Sequence, residues 1–168
     1  MTMVGKQAPS WSGKAFVNGE KVAISSKDYA GKWLVMYWWP FDFTGICQSE
    51  VAAFEALKAE FSSSGIEVVG LSCDSVHAHA QWVGSGAFAN GVSHPLVGDA
   101  THKITKKFGF YSKAIGCAFR ATVIINPDGM IVSSGANFLP VARDPNDILS
   151  TARAFQTGQG CAVSQRPS

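Results

Sequence analysis

Seven consecutive apolar and aromatic residues, Trp33 to Trp39, stand near the start of the sequence and are followed by Pro40. A strand with one face in water would alternate apolar and polar residues, and this run does not. It therefore predicts a strand covered on both faces, as in the middle of a parallel sheet. Proline cannot continue the hydrogen bonding of such a strand, so the strand is expected to end there.

The residues after this run complete a strand–helix–strand unit. Helical spacing of apolar residues extends from Cys47 to Phe61, and Ser62 to Gly65 is expected to end that helix. The apolar segment from Ile66 to Ser72 then predicts a second buried strand. A crossover of this kind places its two strands parallel in one sheet.

The second half of the sequence predicts a hairpin. Two apolar runs, Ala121 to Asn126 and Met130 to Ser134, are joined by the turn residues Pro127-Asp128-Gly129. The sheet is therefore expected to combine a parallel unit with an antiparallel hairpin in an α/β fold. Further helices are predicted at Ala78–Trp82, Thr101–Phe108 and Asp147–Phe155.

Size and composition favour one globular domain over residues 1–168. Apolar residues make up 46% of the chain and charged residues 15%, which is the opposite of a disordered composition. The net charge of +2 is spread along the chain without a basic run, so nucleic-acid binding has no electrostatic support. No apolar segment resembles a secretory signal or could span a bilayer, so we expect a cytoplasmic protein that does not bind membranes. Its four cysteines are then expected to be reduced at rest.

Cys47 is the first candidate for chemistry. If Thr44 is the N-cap of the helix, Cys47 is its third residue, where unpaired N–H groups and the positive helix end favour an anion. A thiol at this place is expected to have a lowered pKa and to react as the thiolate. The alternative is an inert core cysteine, because Cys47 shares a helix face with Val51 and Phe54.

The residues that precede Cys47 carry a resemblance. Residues 40–47, with the sequence PFDFTGIC, resemble the peroxiredoxin signature P-x-x-x-T-x-x-C. The similarity extends along the chain through residues 4–9, 28–33, 70–75 and 118–120. Residues 155–157 and Cys161 are similar to the ending of bacterial alkyl hydroperoxide reductase peroxidase subunits, which are typical two-cysteine peroxiredoxins.

The resemblance implies a thioredoxin-like fold, with a central mixed sheet flanked by helices, an N-terminal extension and a C-terminal tail. It implies that Cys47 attacks the peroxide and becomes a sulfenic acid, while the Thr44 hydroxyl bonds both thiolate and peroxide. Pro40 would shield the sulfur from water. Arg120 would stabilise the thiolate and the polarised O–O bond.

Two further positions match residues that hold the arginine in place, namely Glu50 and Arg143. Taken alone, Arg120 could be an ordinary surface charge and Thr44 an ordinary helix cap. Arginine is scarce, however, since the chain has four, and two of them fall at positions that match the family.

Cys161 is the candidate resolving cysteine. Residues 156–168 form a Gly-rich, polar ending that is expected to be mobile, which suits a thiol that must reach a sulfenic acid. The alternative is an exposed cysteine without a function. The resemblance implies that Cys161 attacks Cys47 of the partner subunit, whereas the sequence does not distinguish this from a bond within one chain.

The implied function is reduction of hydrogen peroxide and organic hydroperoxides to water and alcohols, in antioxidant defence and redox homeostasis. No cofactor or metal is expected: Cys73, Asp74, His77 and His79 do not complete a zinc spacing, and the two histidines would face different sides of a helix. An external dithiol, either thioredoxin or a dedicated flavoprotein disulfide reductase, would regenerate the enzyme. The resemblance implies a homodimer and also a ring-shaped decamer, and the sequence does not choose between them.

Some features depart from the family. Gln48 and Ser49 replace the usual proline and threonine, which affects the expected geometry of the helix opening. The chain lacks a Gly-Gly-Leu-Gly segment and a long aromatic tail, which implies resistance to over-oxidation. Cys73 and Cys117 are expected in the core, although the nearby Arg120 suggests a lowered pKa for Cys117.

Two other hypotheses remain open at this point. A general thiol–disulfide oxidoreductase is disfavoured because Thr44 stands where a C-x-x-C motif needs a cysteine. A binding or holdase protein that acts through an oligomeric surface is compatible with the aromatic content of 11%.

Overall fold

The computed structural model describes residues 2–162, which form a seven-stranded mixed sheet, a two-stranded ribbon and five α-helices. In chain order the elements are β1 (Ser12–Val17), β2 (Glu20–Ser25), β3 (Trp33–Trp38), α1 (Gly45–Ala56), α2 (Lys58–Ser63), β4 (Ile66–Ser72), α3 (Val76–Gly84), β5 (Leu96–Gly98), α4 (Lys103–Lys107), β6 (Tyr111–Ser112), β7 (Cys117–Ala118), β8 (Arg120–Ile125), β9 (Ile131–Asn137) and α5 (Pro145–Gln156).

The sheet has the strand order β2-β1-β5-β4-β3-β8-β9. β3 pairs in parallel with β4, and β4 with β5, whereas β8 pairs antiparallel with both β3 and β9. The parallel unit and the hairpin predicted from the sequence are therefore confirmed, and they lie in one sheet. This arrangement puts β8 beside β3, so the start of β8 lies near the loop that follows β3.

Strand β3 is buried on both faces, as its unbroken apolar sequence predicts. Met36 and Trp38 point into one core cluster, and Tyr37 and Trp39 into the other, and all four are fully buried. Side chains of α1, α2, α3 and α5 cover the second face, while Ile104 of α4 packs on the first. The prediction of a covered interior strand flanked by helices is confirmed.

The sequence-based elements differ from the structure in several places, and the short strands β5, β6 and β7 were not predicted. The single helix expected up to Phe61 is divided at Leu57, whose backbone (φ −92°, ψ 3°) leaves the helical region, so α1 and α2 are separate. The N-terminal hairpin of β1 and β2 was not predicted. Its strands have six residues each, as β3 has, but polar residues interrupt their sequences and they are only partly buried, so no apolar run is long enough to indicate a strand.

The C-terminal segment begins later than expected. Gln156 is the last residue of α5, and its side-chain amide donates to the carbonyl of Ser64 at 2.7 Å. Residues 157–162 are exposed and lack regular secondary structure. The remaining residues of the predicted mobile segment, 163–168, lie outside the described residues. Across residues 2–162, every helix is too short or too polar to cross a membrane.

A buried polar cluster links β3 to α1 within the second core. The Tyr37 hydroxyl lies 2.7 Å from His94 Nε2, and His94 Nδ1 lies 2.6 Å from Glu55 Oε2. Burial alone would raise the pKa of Glu55, but bonds from His94 and Ser93 lower it to about 2. Burial lowers the pKa of His94, although Glu55 opposes this effect.

This cluster predicts acid sensitivity. Glu55 has a depressed pKa, so its contribution to stability is present above its ordinary value of 4.5 and is lost as the pH falls towards about 2. His94 binds its proton more readily in the unfolded chain, so stability also falls as the pH drops below 6.5. In thermal unfolding across this range, we expect the melting temperature of Glu55→Gln to fall less steeply below pH 4.5 than that of the parent. If the melting temperatures of the parent and of Glu55→Gln fell equally with pH, Glu55 would not be a source of the acid sensitivity.

Candidate active site

Cys47 lies in the first turn of α1, immediately after the loop that follows β3. Thr44 is the N-cap residue with extended backbone, and the helix begins at Gly45, which makes Cys47 the third helical residue. The Cys47 side chain is 1% exposed. The predicted position is confirmed, and it places the sulfur near N–H groups at the positive end of a helix.

Arg120 contacts this sulfur from the start of β8. Its Nη1 lies 3.4 Å from Cys47 Sγ, and its Nε donates to the carbonyl of Leu139 at 2.5 Å. The side chain is buried. Burial by itself would lower the pKa of Arg120, but the bonds to Cys47 and Glu50 outweigh it, and the net effect raises the pKa. Arg120 is therefore a charged donor to the sulfur and not a surface residue.

Glu50 holds two guanidinium groups together. It lies one helical turn after Cys47, is 1% exposed, and accepts from Arg120 Nη1 at 2.7 Å. Arg143 donates to the same carboxylate through its backbone N–H at 2.9 Å, and through Nε and Nη2 at 3.0 Å each. Two cations and one anion leave a formal charge of +1, which a Cys47 thiolate would neutralise.

Arg143 is itself anchored by the sheet. Its Nη1 donates to the carbonyl of Ala121 and lies 3.3 Å from Thr122 Oγ1, both in β8. Its guanidinium also lies over the ring of Tyr37, 5.6 Å from the centroid. Both arginines contact Glu50, and the role of Glu50 and Arg143 in holding Arg120 in place stays a prediction.

Pro40 and Thr44, which precede Cys47 in the loop, are not part of the charged cluster of Glu50 and the two arginines. Pro40 is buried, whereas Thr44 is exposed. The Thr44 hydroxyl donates to the carbonyl of Phe41 at 2.9 Å and makes no capping bond, although Thr44 stands at the N-cap position. Its role as a donor to thiolate and peroxide stays a prediction.

All four cysteines lie among the described residues, and none is in a disulfide. Cys161 is exposed, and its Sγ lies 3.7 Å from the carbonyl of the following residue, Ala162, so the structure does not bring it to Cys47. Burial, with smaller effects from neighbouring groups, raises the pKa of Cys73 and of Cys117 to about 11. The suggestion of a lowered pKa for Cys117 is wrong, since burial outweighs the effect of Arg120.

Behind the loop lies a pair that the sequence reasoning missed. His79 of α3 and Asp42 are both buried and lie 2.7 Å apart. The sequence pattern presents His79 only as a potential metal ligand, and among residues 2–162 no group of three or more potential ligands is present. As expected, His77 and His79 face different sides, because His77 is exposed. Burial of His79 could be predicted from the sequence, because it lies three residues before Trp82 on the apolar face of the helix.

A cavity of about 220 Å³ lies between β9 and α5. Arg120 and Arg143 line it together with Asp147 and Thr151, whereas Cys47 and Thr44 do not. The cavity therefore reaches the guanidinium groups but is not by itself the pocket of the reactive sulfur.

Comparison with known proteins assigns this arrangement to a family. Residues 4–134 match the AhpC/TSA family. The chain is 39% identical to a probable peroxiredoxin (prdx-3) of Caenorhabditis elegans, over 88% of this chain and 67% of that protein. It is 35% identical to Peroxiredoxin-4 of Dictyostelium discoideum, over 96% of this chain and 65% of that protein. A putative peroxiredoxin of Clostridium pasteurianum is 34% identical, over 96% of this chain and 93% of that protein.

Solved structures agree with these relatives. A reduced 2-Cys peroxiredoxin of Plasmodium vivax superposes with a TM-score of 0.92 at 27% identity, covering 99% of this chain and 90% of the other. AhpC of Mycobacterium tuberculosis gives a TM-score of 0.88 at 29% identity, with 99% of each chain covered. The fold is thus the thioredoxin-like fold of these proteins, as the resemblance implied. The chain spans about two thirds of the length of several of its relatives.

Proposed function

The chain belongs to the AhpC/TSA family of peroxiredoxins, which are thiol-dependent peroxidases, and we propose that it reduces hydrogen peroxide and organic hydroperoxides through Cys47. The observation that carries the proposal is the contact of Arg120 Nη1 with the buried Cys47 sulfur, 3.4 Å away, with Glu50 holding the guanidinium from behind. A second donor at the same place would be the Thr44 hydroxyl after it turns from Phe41.

In the proposed reaction, the Cys47 thiolate attacks one peroxide oxygen and forms an S–O bond. The O–O bond breaks, its electron pair stays on the departing oxygen, and that oxygen takes a proton to become water or an alcohol. Sulfur is oxidised to the sulfenic acid while the peroxide is reduced. Arg120 favours this step because its fixed charge lies where negative charge moves from sulfur to oxygen.

The second half of the proposed cycle uses Cys161. Its thiolate would attack the Cys47 sulfenic acid, release water and form a disulfide, which an external dithiol such as thioredoxin or a flavoprotein disulfide reductase then reduces. The exposure of Cys161 suits this role. A partner subunit is the proposed source of Cys161, because β9 is the last strand of the sheet and, beyond the bonds of Ile131 to residues 5 and 6, its outer edge pairs with no other strand among the described residues.

We extend the proposal to the assembly and its setting. A homodimer is the proposed minimal unit, and a ring-shaped decamer is a larger alternative. The cytoplasm is the proposed location, since its reducing conditions would keep the four free thiols reduced at rest. Antioxidant defence belongs to the same proposal.

Peroxide consumption tests the function directly. Cys47→Ser is expected to reduce the rate to the uncatalysed background, because the hydroxyl of serine cannot form the sulfenic acid. Cys73→Ser is the matched control and should retain the parental rate, since the Cys73 thiol has a pKa of about 11 and is not used. The assay measures loss of hydrogen peroxide and of cumene hydroperoxide with a thioredoxin system as donor. A fully active Cys47→Ser protein would exclude the proposal.

Non-reducing gels test the resolving step. After mild peroxide treatment, a covalent dimer is expected in the parent and in Cys117→Ser, and it should be absent in Cys47→Ser and Cys161→Ser. The bond requires one sulfur from each of these two positions. Persistence of the dimer without Cys161 would refute its assignment, and a disulfide confined to monomers would refute the partner subunit as its source.

A further inference from the structure

A buried polar cluster lies behind the loop that joins β3 to α1. Asp42 in that loop is 7% exposed, and His79 on α3 is fully buried. His79 Nδ1 lies 2.7 Å from Asp42 Oδ2, and its Nε2 lies 3.0 Å from the carbonyl oxygen of Val97. The reaction proposed above uses none of these groups.

The two contacts of His79 fix the number of protons in the pair. A carbonyl oxygen can only accept, so the Nε2 atom that faces Val97 carries a hydrogen. In a neutral imidazole, Nδ1 would then present a lone pair to Asp42, and a carboxylate there would repel it. The 2.7 Å contact therefore requires one proton between Nδ1 and Oδ2, carried by either residue.

Asp42 is also held from two other sides. Its Oδ1 accepts from the indole N–H of Trp39 at 2.8 Å, and its backbone N–H donates to Asp74 Oδ2 at 3.0 Å. The next residue, Phe43, has φ +59°, a left-handed conformation that a bulky side chain rarely adopts. Such backbone persists only where surrounding contacts hold it. The bonds of Asp42 therefore lie two residues before Thr44, the N-cap of the helix that carries Cys47.

Two further titratable groups act on this pair from the elements packed around it. Asp74 lies after β4, and Tyr37 lies on β3, where burial raises its pKa and the charge of Asp42 adds a small further rise. Burial raises the pKa of Asp42, the bond and charge of His79 oppose this rise, and Asp74 adds to it. The remaining contacts, from the Trp39 indole and the carbonyl facing Nε2, are neutral. These surroundings favour the Asp42–His79 pair with its shared proton over an ionised Asp42 that faces a neutral His79.

We propose that Asp42 and His79 are positioning residues for the peroxidase reaction, and that one proton shared between them holds the loop of residues 41–44, and with it Cys47, in the reactive geometry. This inference rests on the proposed function and deepens it. When the shared proton leaves at rising pH, the carboxylate and the imidazole lone pair repel each other. Asp42 then moves, Phe43 relaxes from its strained backbone, and Thr44 and Cys47 lose their arrangement.

Asp42→Asn separates the role of the proton from the role of the contact. An asparagine amide can donate N–H to the Nδ1 lone pair of neutral His79, while its oxygen still accepts from Trp39. The bridge then needs no shared proton. As the pH rises, we expect the parent to lose kcat/KM for peroxide more steeply than Asp42→Asn, with thiol ionisation common to both. Identical profiles would overturn the proposal.

His79→Gln tests the positioning role itself. Glutamine cannot reach both Asp42 and the β5 carbonyl, and displacement of the loop by about 1 Å should lower kcat/KM on the order of a hundredfold. His77→Gln, on the exposed side of the same helix, is the matched control and should match the parent. If the two variants behaved alike, His79 would have no positioning role. If His79→Gln fails to fold, the pH profile of Asp42→Asn still tests the proposal.

A spectroscopic readout is independent of peroxidase activity. The Trp39 indole N–H reports on Asp42 through its hydrogen bond, so its ¹H–¹⁵N signal should shift with rising pH in the parent and stay in place in Asp42→Asn. In ¹⁵N-histidine spectra, His79 should carry a hydrogen on Nε2 at neutral pH. A neutral His79 protonated only on Nδ1 would overturn the shared proton. An inactive parent with the expected spectra would refute the peroxidase function and leave the proton assignment intact.

Discussion

Replacing Arg120 by methionine is expected to lower kcat/KM for hydrogen peroxide by about 10²- to 10³-fold, the range found when one charge-stabilising donor is removed. Ionisation of the thiol alone cannot supply this rate. A thiol with an ordinary pKa of about 8.5 is roughly 10% ionised near pH 7.5, so complete ionisation gains only about tenfold. Nucleophilicity also falls with pKa, which removes part of that gain.

The remaining acceleration must come from groups that stabilise charge as the O–O bond breaks, and Arg120 is the donor within reach of Cys47 Sγ. Arg120→Lys should be intermediate, because an ammonium keeps the charge but cannot contact the sulfur, Glu50 and the carbonyl of Leu139 as the planar guanidinium does. Stopped-flow peroxide reduction measures the effect. Arg153→Met, on α5, is the control. A parental rate in Arg120→Met would remove the guanidinium from the mechanism.

Glu50→Gln is expected to destabilise the protein by about 3–5 kcal/mol, the usual cost of removing one partner from a buried ion pair. The carboxylate is 1% exposed and accepts bonds from Arg120 and Arg143. An amide in its place leaves two buried guanidinium groups without their shared counter-charge. For a chain of this size the melting temperature should fall by roughly 10 °C.

The same substitution should also reduce the peroxidase rate, because Arg120 would lose the bond that orients it towards Cys47. Thermal and urea unfolding measure the stability, and Glu60→Gln, on the exposed face of α2, provides the control. If Glu50→Gln unfolded like Glu60→Gln, the buried carboxylate would not be what holds the two arginines together. Loss of stability without loss of rate would instead show that Arg120 is oriented by Leu139 alone.

Local patterns predicted the central elements correctly. The apolar run before Pro40 is strand β3, the segment Ile66–Ser72 is β4, and the turn at residues 127–129 joins β8 to β9. The sequences of β3 and β4 are almost entirely apolar and nearly all of their residues are buried, so their pattern is visible without neighbours. The division at Leu57 and the partly buried N-terminal hairpin depend on packing against distant residues, and the sequence pattern does not report this.

Position along the chain placed Cys47 correctly in the first turn of a helix, whereas its role as the reactive cysteine is implied by the resemblance of residues 40–47 and stays a prediction. Thr44 and Cys47 are separated by one helical turn, and a strand ends just before them, so a helix start at the sulfur follows from neighbouring residues alone. The hydroxyl direction of Thr44 did not follow from them. It depends on the folded loop, where the carbonyl of Phe41 takes the hydrogen bond.

The candidate residues for peroxide chemistry can therefore be recognised in short segments of the sequence. The contacts between them form only in the folded molecule. Arg120 lies 73 positions from Cys47, and Arg143 lies 93 positions from Glu50. His79 meets Asp42 across 37 positions. Periodicity reports only which face of an element is buried. Which distant side chains meet is decided by strand register and helix packing, and here β8 running antiparallel to β3 brings the guanidinium to the sulfur.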